Sequence, residues 1–461
     1  MANTHSVTLM NRTLGHLKRF WNKLPSSLSN NSDLLAIADQ SAPDQAQLLH
    51  VGQQMQRAIN GVGGEMAARN AAADLGRFYL RLNPQGKQDF LLLLANDFDV
   101  DYPAINNLVA QWDTSKPNIK GLKKALNSPR LSLLKLFNAL PEGVKFLVDM
   151  RADLIQLQKN EPSLKPLQED LRDLLGDWFD LGFLELKQMT WQDTPAELLE
   201  KLIQYEAVHA IAGWDDLRNR LDSDRRCFGF FHPQMPNEPL IFIEVALVQG
   251  MASNIDQLLD QQAPIEDTHS ADTAIFYSIS NTQQGLASIS FGNYLIKNVV
   301  AELVKQHPQL QHFATLSPIP GLRKWLNKHP TEAIALLSEQ QLKALNHYCN
   351  QHQIATNLEA VLVSDWSHNA EDRSFVESLL LTLGQHYITQ ERSARGTALD
   401  PVAHFHLSNG AIAGRLNFMA NMSPKGLQES AGMMINYVYN IDQIETNCMN
   451  YSEQGLVAHS L

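Results

Sequence analysis

The sequence predicts an α+β chain, an N-terminal all-α helical bundle followed by an α/β domain, and three observations predict it. Roughly the first 185 residues place apolar side chains at helical spacing and contain almost no β-branched run. After Trp191 short β-prone runs alternate with turn residues and helical stretches. The chain has 461 residues, 44% hydrophobic and 19% charged, enough for two large domains that each bury a core.

Each element follows from its local pattern. Leu48 to Ile59, Ala67 to Leu82, Leu131 to Leu140 and Leu164 to Trp178 are apolar helical stretches joined by short polar or proline-containing links. Val144, Leu147, Met150, Leu154 and Ile155 share one helix face, and Pro141-Glu-Gly143 separates that helix from the one before. Gly61-Val-Gly-Gly64 sits inside a helical region and does not make a dinucleotide fingerprint. Further on, Cys227 to His232 and Leu240 to Val248 read as strands joined by a turn over Pro233 to Asn237. Ala274 to Ser280 is a strand, Asn281 to Ser288 a polar loop, and Phe291 to His307 a helix. Phe313 to Leu316 is a short strand ended by Ser317-Pro-Ile-Pro-Gly321. Helices are expected from Thr331 to Gln390, and strands at Val402 to Leu407 and Ala413 to Met419. In that strand reading His404 and His406 face the same side of a sheet.

Charge and cysteine usage exclude several classes. With 37 basic and 49 acidic residues the net charge is −12, which disfavours a nucleic-acid binder working by counterion release. Cys227, Cys349 and Cys448 show no paired spacing, so a secreted disulfide scaffold is not expected. No run approaches the ~20 apolar residues of a membrane span. The first 32 residues carry Arg12, Lys18, Arg19 and Lys23 and no acid, and are read as a basic N-terminus rather than a presequence. His459-Ser-Leu461 lacks the basic residue of a peroxisomal signal, and a cytoplasmic protein is expected.

Motifs for nucleotide loops and for the nucleophile elbow of hydrolases are absent. His347-Tyr-Cys-Asn-Gln-His352 packs ligand types closely but indicates no further partners, so a metal site is not expected there. What remains is a set of polar residues at element ends: Ser278, Ser317, His406 and Tyr439. Taken singly, a serine before proline is a turn former, and a tyrosine in Asn436-Tyr-Val-Tyr439 is core. A glycine-containing loop before a helix, as at Asn281 to Gly292, is suited to an anion.

Ala274-Ile-Phe-Tyr-Ser-Ile-Ser280, Thr282-Gln-Gln-Gly285, Leu316-Ser-Pro-Ile-Pro-Gly321, Pro401-Val-Ala-His-Phe-His-Leu407, Asn409-Gly-Ala411 and Asn436-Tyr-Val-Tyr439 together resemble the malonyl-CoA decarboxylase family. Arg151-Ala-Asp-Leu154, Glu206-Ala-Val-His209 and Ser253-Asn-Ile255 extend the resemblance in collinear order, from about Leu131 to Tyr439. It implies a helical oligomerisation domain over residues 1–187 and a catalytic domain over 188–461 similar to a GNAT-type acetyltransferase. It implies malonyl-CoA as the substrate, converted to acetyl-CoA and CO2 without metal, biotin or other cofactor. No nucleic-acid or membrane partner is implied, and a homo-oligomer, a tetramer, is. Residue by residue, the family's catalytic serine falls on Ser317 and its histidine on His406, labelled proton acceptor and proton donor, with Ser278 and Tyr439 in support. Its CoA-diphosphate loop falls on Ala287, Ser288, Ile289, Ser290, Phe291, Gly292 and Asn293. Ser290 stands where the family has an acid, which leaves the partner orienting His406 unidentified.

The chemistry agrees with those residue types. Loss of CO2 leaves an enolate, and donors fixed at its oxygen are worth about 3–4 kcal/mol each. A histidine, with an ordinary pKa of about 6.5, is suited to protonating the resulting carbon. The alternatives are an acyl-CoA acyltransferase on the same scaffold and a helical interaction protein that binds an acyl-CoA without turnover. Substituting Ser317 or His406 is expected to leave thermal stability nearly unchanged.

Overall fold

Helix boundaries in the N-terminal region are set by caps that the sequence supplies. Asp44 and Gln47 form a capping box at the start of Gln45–Ile59. Asn83 accepts the Gly86 N–H ahead of Pro84–Asp97, with Pro84 in the first turn, where a missing N–H costs nothing. Gly61, Gly63 and Gly64 turn the chain between Gln45–Ile59 and Glu65–Arg81 at positive φ. The computed structural model describes residues 43–179, 181–289 and 294–461. The basic N-terminus therefore lies outside the described residues, as do Ser290, Phe291, Gly292 and Asn293.

Two compact units result. The first takes the described residues of Met1–Glu185, Phe231–Leu240 and Thr282–Ser290; the second those of Leu186–Phe230, Ile241–Asn281 and Phe291–Leu461. In the first, the helices Glu65–Arg81, Pro84–Asp97, Pro129–Asn138 and Gly143–Leu157 bury one aromatic cluster. Tyr79 meets Phe90 edge-on at 5.1 Å between ring centroids, and Phe146 meets Phe137 at 5.0 Å. Arg151 is buried in the same unit and donates to the carbonyls of Gly285 (2.5 Å) and Ala287 (2.9 Å). A β-carbon on Gly285 would lie 1.8 Å from the Val148 carbonyl, so only glycine fits against that helix.

Most of an eight-stranded sheet belongs to the second unit; its order is β1-β2-β3-β4-β5-β8-β6, with β7 also paired to β8. The strands are β1 (Glu185–Met189), β2 (Arg225–His232), β3 (Met235–Val248), β4 (Thr273–Asn281), β5 (His312–Thr315), β6 (Ser317–Pro318), β7 (Ile412–Asn417) and β8 (Met434–Val438). The turn between β2 and β3 is tighter than its sequence suggests, only Pro233 and Gln234, because Met235 already pairs as strand. The apolar run Leu240 to Val248 is buried as expected. Its one carboxylate, Glu244, meets Arg220 at 3.0 Å, and burial still pushes it up to about 8.

The sheet opens where it carries the site. β4 runs antiparallel to β3 along its whole length but parallel to β5 only over Thr273–Phe276, opposite His312–Thr315. The last tie is Leu316 N–H to the Phe276 carbonyl at 3.0 Å. Beyond it β4 continues to Asn281, while the other chain turns away as β6 to pair Ser317 with Ile435 and Pro318 with Met434 of β8. Strand pairing thus does not stop at Ser317; Pro318 is tolerated because β6 is an edge strand, where its missing N–H costs no ladder bond. Among the described residues no helix is long and apolar enough to cross a membrane.

One expected strand is a helix. Val402 to Leu407 lies within the helix Pro401–Ser408. Asp400 caps it, accepting from Val402 N–H (2.9 Å) and Ala403 N–H (3.0 Å), and Pro401 occupies the first turn. A cap and a leading proline outweigh the β-like alternation of Val402-Ala-His-Phe-His. His404 and His406 consequently do not share a sheet face: His404 turns to the Tyr451 hydroxyl at 2.9 Å, His406 into the interior.

Candidate active site

Ser317 and His406 approach each other because two elements are pinned by one carboxylate. Asp400 caps the His406 helix with Oδ1, while Oδ2 accepts from Gly321 N–H at 3.2 Å, joining the Ser317-to-Gly321 turn to that helix. Tyr387 donates to the same oxygen at 3.4 Å. Gly321 is required by this packing, since a β-carbon there would come within 2.1 Å of the Tyr387 hydroxyl.

The result is a buried hydrogen-bonded chain. Ser317 Oγ is 3.1 Å from His406 Nε2, and the Tyr439 hydroxyl is 2.8 Å from His406 Nδ1. At the other end Ser317 Oγ lies 2.8 Å from Thr315 Oγ1, which also accepts the Tyr437 N–H at 3.1 Å. Asn436, fully buried, donates to the Thr315 carbonyl at 2.7 Å and fixes β8 against β5 at this level. Ser317 donates to Thr315, so its lone pairs are left for a proton on His406 Nε2, and Nδ1 is left to accept from the Tyr439 hydroxyl. An imidazole bonded at both nitrogens can take a proton at one and give it up at the other, which is what a relay requires.

His406 is packed as tightly as a core residue. It stacks on Tyr437 at 4.6 Å and meets Phe405 edge-on at 5.0 Å, with only 3% of its surface exposed. Burial drives its pKa down to about 3, so the ring is neutral near pH 7. Burial likewise pushes the Tyr439 phenol well above its ordinary value, keeping the hydroxyl protonated. The expectation that substitution here leaves stability untouched is therefore wrong for His406, because its ring fills core volume.

A cavity of about 230 Å³ lies between the separated strands, with Ser317 and His406 on one part of its wall and Ser278 on another. Phe276, Ile279, Pro401, Val402 and Phe405 make the rest of the wall largely apolar. Ser278 is held from behind by Glu206: its Oγ is 2.8 Å from both carboxylate oxygens, and Ser280 Oγ is 3.0 Å from Oε2. Glu206 Oε1 also accepts the N–H groups of Val208 (2.9 Å) and His209 (2.8 Å).

The structure thus brings Ser278, Ser317 and His406 to one cavity of the second unit, with Tyr439 bonded to His406 but not on the cavity wall. Ala287, Ser288 and Ile289 fall in the first unit, where Ser288 takes a positive φ of 64°; Ser290 to Asn293 lie outside the described residues. The orienting partner of His406, left open by the sequence, is the Tyr439 hydroxyl. Sequence reasoning missed Thr315, Tyr437 and Glu206 as members of the site. Thr315 stands two residues before Ser317, a spacing that puts both on one face of an extended chain, and this signal was available. Glu206 follows the helix Ala196–Tyr205 and opens the block Glu206-Ala-Val-His209, which assigned it no role; the pairing with Ser278 supplies one.

An imidazole held between two hydroxyls on the wall of a small apolar cavity is an arrangement suited to acid–base chemistry, of the class found in enzymes that move protons. Comparison with known proteins makes this specific. Residues 182–461 match the malonyl-CoA decarboxylase C-terminal domain, and residues 98–179 the N-terminal domain of the same family. The chain is 37% identical over 411 residues to the mitochondrial malonyl-CoA decarboxylase of Mus musculus, covering 83% of this chain and 82% of that protein. It is 35% identical over 407 residues to the enzyme of that name from Anser anser anser, covering 83% and 80%. The crystal structure of malonyl-CoA decarboxylase from Rhodopseudomonas palustris superimposes with a TM-score of 0.81 at 38% identity, over 90% of this chain and 98% of the other. This chain belongs to the malonyl-CoA decarboxylase family.

Proposed function

We propose that the protein converts malonyl-CoA to acetyl-CoA and CO2, and that the Ser317–His406 pair carries the proton transfer. The observation that carries this reading is the 3.1 Å contact between Ser317 Oγ and His406 Nε2 on the cavity wall, in a chain of this family. The bond from the α-carbon to the carboxylate breaks, its electron pair moves into the thioester as an enolate, and the α-carbon then takes one proton. His406 is the donor of that proton. Ser317 accepts from Nε2 between turnovers and meets the bound acyl group.

The charge state of His406 responds to a carboxylate beside it, because burial lowers its pKa. A carboxylate about 4 Å from the imidazole, at an effective dielectric near 20, favours the charged ring by about 4 kcal/mol, or roughly 3 pH units. This opposes the lowering by burial and raises His406 back toward its ordinary value. Substrate binding thus favours a second proton on the ring, at Nδ1, since Nε2 already carries the one it donates to Ser317, and departure of the carboxylate as CO2 makes the imidazolium a stronger acid when the carbon needs it. Tyr439 on Nδ1 holds the ring in place throughout.

In the same reading, residues 287–293, which lead into the helix Tyr294–Gln306, receive the CoA diphosphate, as the resemblance implies. Residues 1–187 serve as the oligomerisation domain and 188–461 as the catalytic domain, the protein assembles as a homotetramer, and it works in the cytoplasm. Incubation with malonyl-CoA alone tests the reaction. Equimolar acetyl-CoA and CO2 without any acyl acceptor are expected; malonyl-CoA that stays intact, or turns over only when an amine acceptor is added, overturns it.

A further inference from the structure

The Glu206 carboxylate does more than close a loop. Ser278 Oγ sits 2.8 Å from both of its oxygens, a distance two oxygens reach only with a proton between them. A serine has one proton, so the proton of Ser278 is committed to Glu206, and the hydroxyl meets the cavity with lone pairs alone. Ser280 is committed in the same way, donating to Glu206 Oε2 (3.0 Å) while accepting the Ala207 N–H at 3.2 Å. One part of the wall therefore accepts hydrogen bonds and has a carboxylate behind it. In the part formed by Ser317 and His406 the serine proton goes to Thr315 Oγ1, and His406 Nε2 is the group able to donate to a ligand.

We propose that Glu206 is a positioning residue that gives the cavity its polarity. By holding the Ser278 proton it turns the anionic end of a carboxyacyl thioester toward Ser317 and His406, and leaves Ser278 for a donor such as an amide N–H of the thioester's carrier arm. The proposal rests on the reading of this cavity as the decarboxylase site. A carboxylate bound the other way round would meet lone pairs and a like charge, and would leave His406 without the anion that charges it.

The change Glu206→Gln isolates this effect. The amide oxygen still accepts from Val208 and His209 N–H, which use both its lone pairs, so the loop stays tied. The amide nitrogen now donates to Ser278, whose own proton is released into the cavity. Calorimetric titration with two CoA thioethers reads the outcome: S-(2-carboxyethyl)-CoA, which has the carboxylate but no carbonyl to form an enolate, and uncharged S-ethyl-CoA. In E206Q the preference for the carboxylated ligand is expected to rise about tenfold or more, the worth of a new hydrogen bond to a charged group. With malonyl-CoA, KM and kcat are expected to fall together as substrate binds in the unproductive direction. In a Ser278→Ala background E206Q is expected to leave the preference unchanged, because the residue through which it acts is gone. An unchanged preference in E206Q, an equal shift in the S278A background, or binding of neither thioether overturns the proposal. Since neither ligand turns over, this result is read separately from whether the protein releases CO2 from malonyl-CoA.

Discussion

Removing the Tyr439 hydroxyl with Tyr439→Phe takes one atom from the relay and leaves the ring packing against Phe276 in place. His406 Nδ1 then loses its 2.8 Å partner in a fully buried position. An unsatisfied buried polar atom costs about 1–3 kcal/mol, which for a domain of this size lowers Tm by roughly 2–10 °C. The catalytic cost is larger than that figure suggests, because an imidazole free to tilt no longer presents Nε2 to Ser317. A positioned general acid contributes about 10²–10⁴ in rate, and losing its orientation while keeping the group removes on the order of one to two decades. The assay is release of CO2 from malonyl-CoA under saturating substrate, with a melting curve on the same sample. A kcat within twofold of wild type in folded Y439F would refute the claim that this hydroxyl orients the proton donor.

Three further changes follow from the same geometry. His406→Ala should lower kcat at least 100-fold and also stability, by about 2–4 kcal/mol for an emptied ring site, whereas Ser317→Ala should lower kcat with little change in Tm; equal melting of both variants would contradict the packing described. Gly321→Ala should destabilise strongly, because its methyl group meets the Tyr387 hydroxyl and parts the turn from Asp400; a melting temperature at the wild-type value would refute this. Acid should weaken the fold early: His406 and His209 have folded pKa values of about 3, both lowered first by burial, against about 6.5 unfolded. Below pH 6.5 the unfolded chain binds protons that the folded one does not, so stability is full above that value and falls by about 1.4 kcal/mol per pH unit for each histidine down to about pH 3. A melting temperature that stays flat from pH 7 to 5 would contradict both assignments.

Much of the fold was legible in the sequence because periodicity and caps act locally. The helices up to Trp178 and the strands at Cys227, Leu240 and Ala274 follow from spacing that any single segment displays. The helix at Pro401–Ser408 was misread because Val402, Phe405 and Leu407 are β-prone and the run alternates, while the deciding signal was the Asp400-Pro401 cap before it. The site divided in the same way. Ser317 and His406 were found through motif blocks, but nothing local joins residues 89 positions apart, and their contact depends on Asp400 bridging to Gly321. Glu206 stood in one of the motif blocks but without a role, and since it lies 72 positions from the serine it holds, only the folded arrangement shows what it does.

The central claim is that Ser317 and His406 act as one proton-transfer unit on malonyl-CoA. Its most direct test is kcat for CO2 release measured on wild type, Ser317→Ala, His406→Ala and the double variant, each shown to be folded. The account expects acetyl-CoA and CO2 from wild type without an acceptor, a loss of about two decades or more in each single variant, and a double variant within a few-fold of the worse single. Independent losses that multiply in the double variant, or single variants that turn over malonyl-CoA at the wild-type rate, would contradict it.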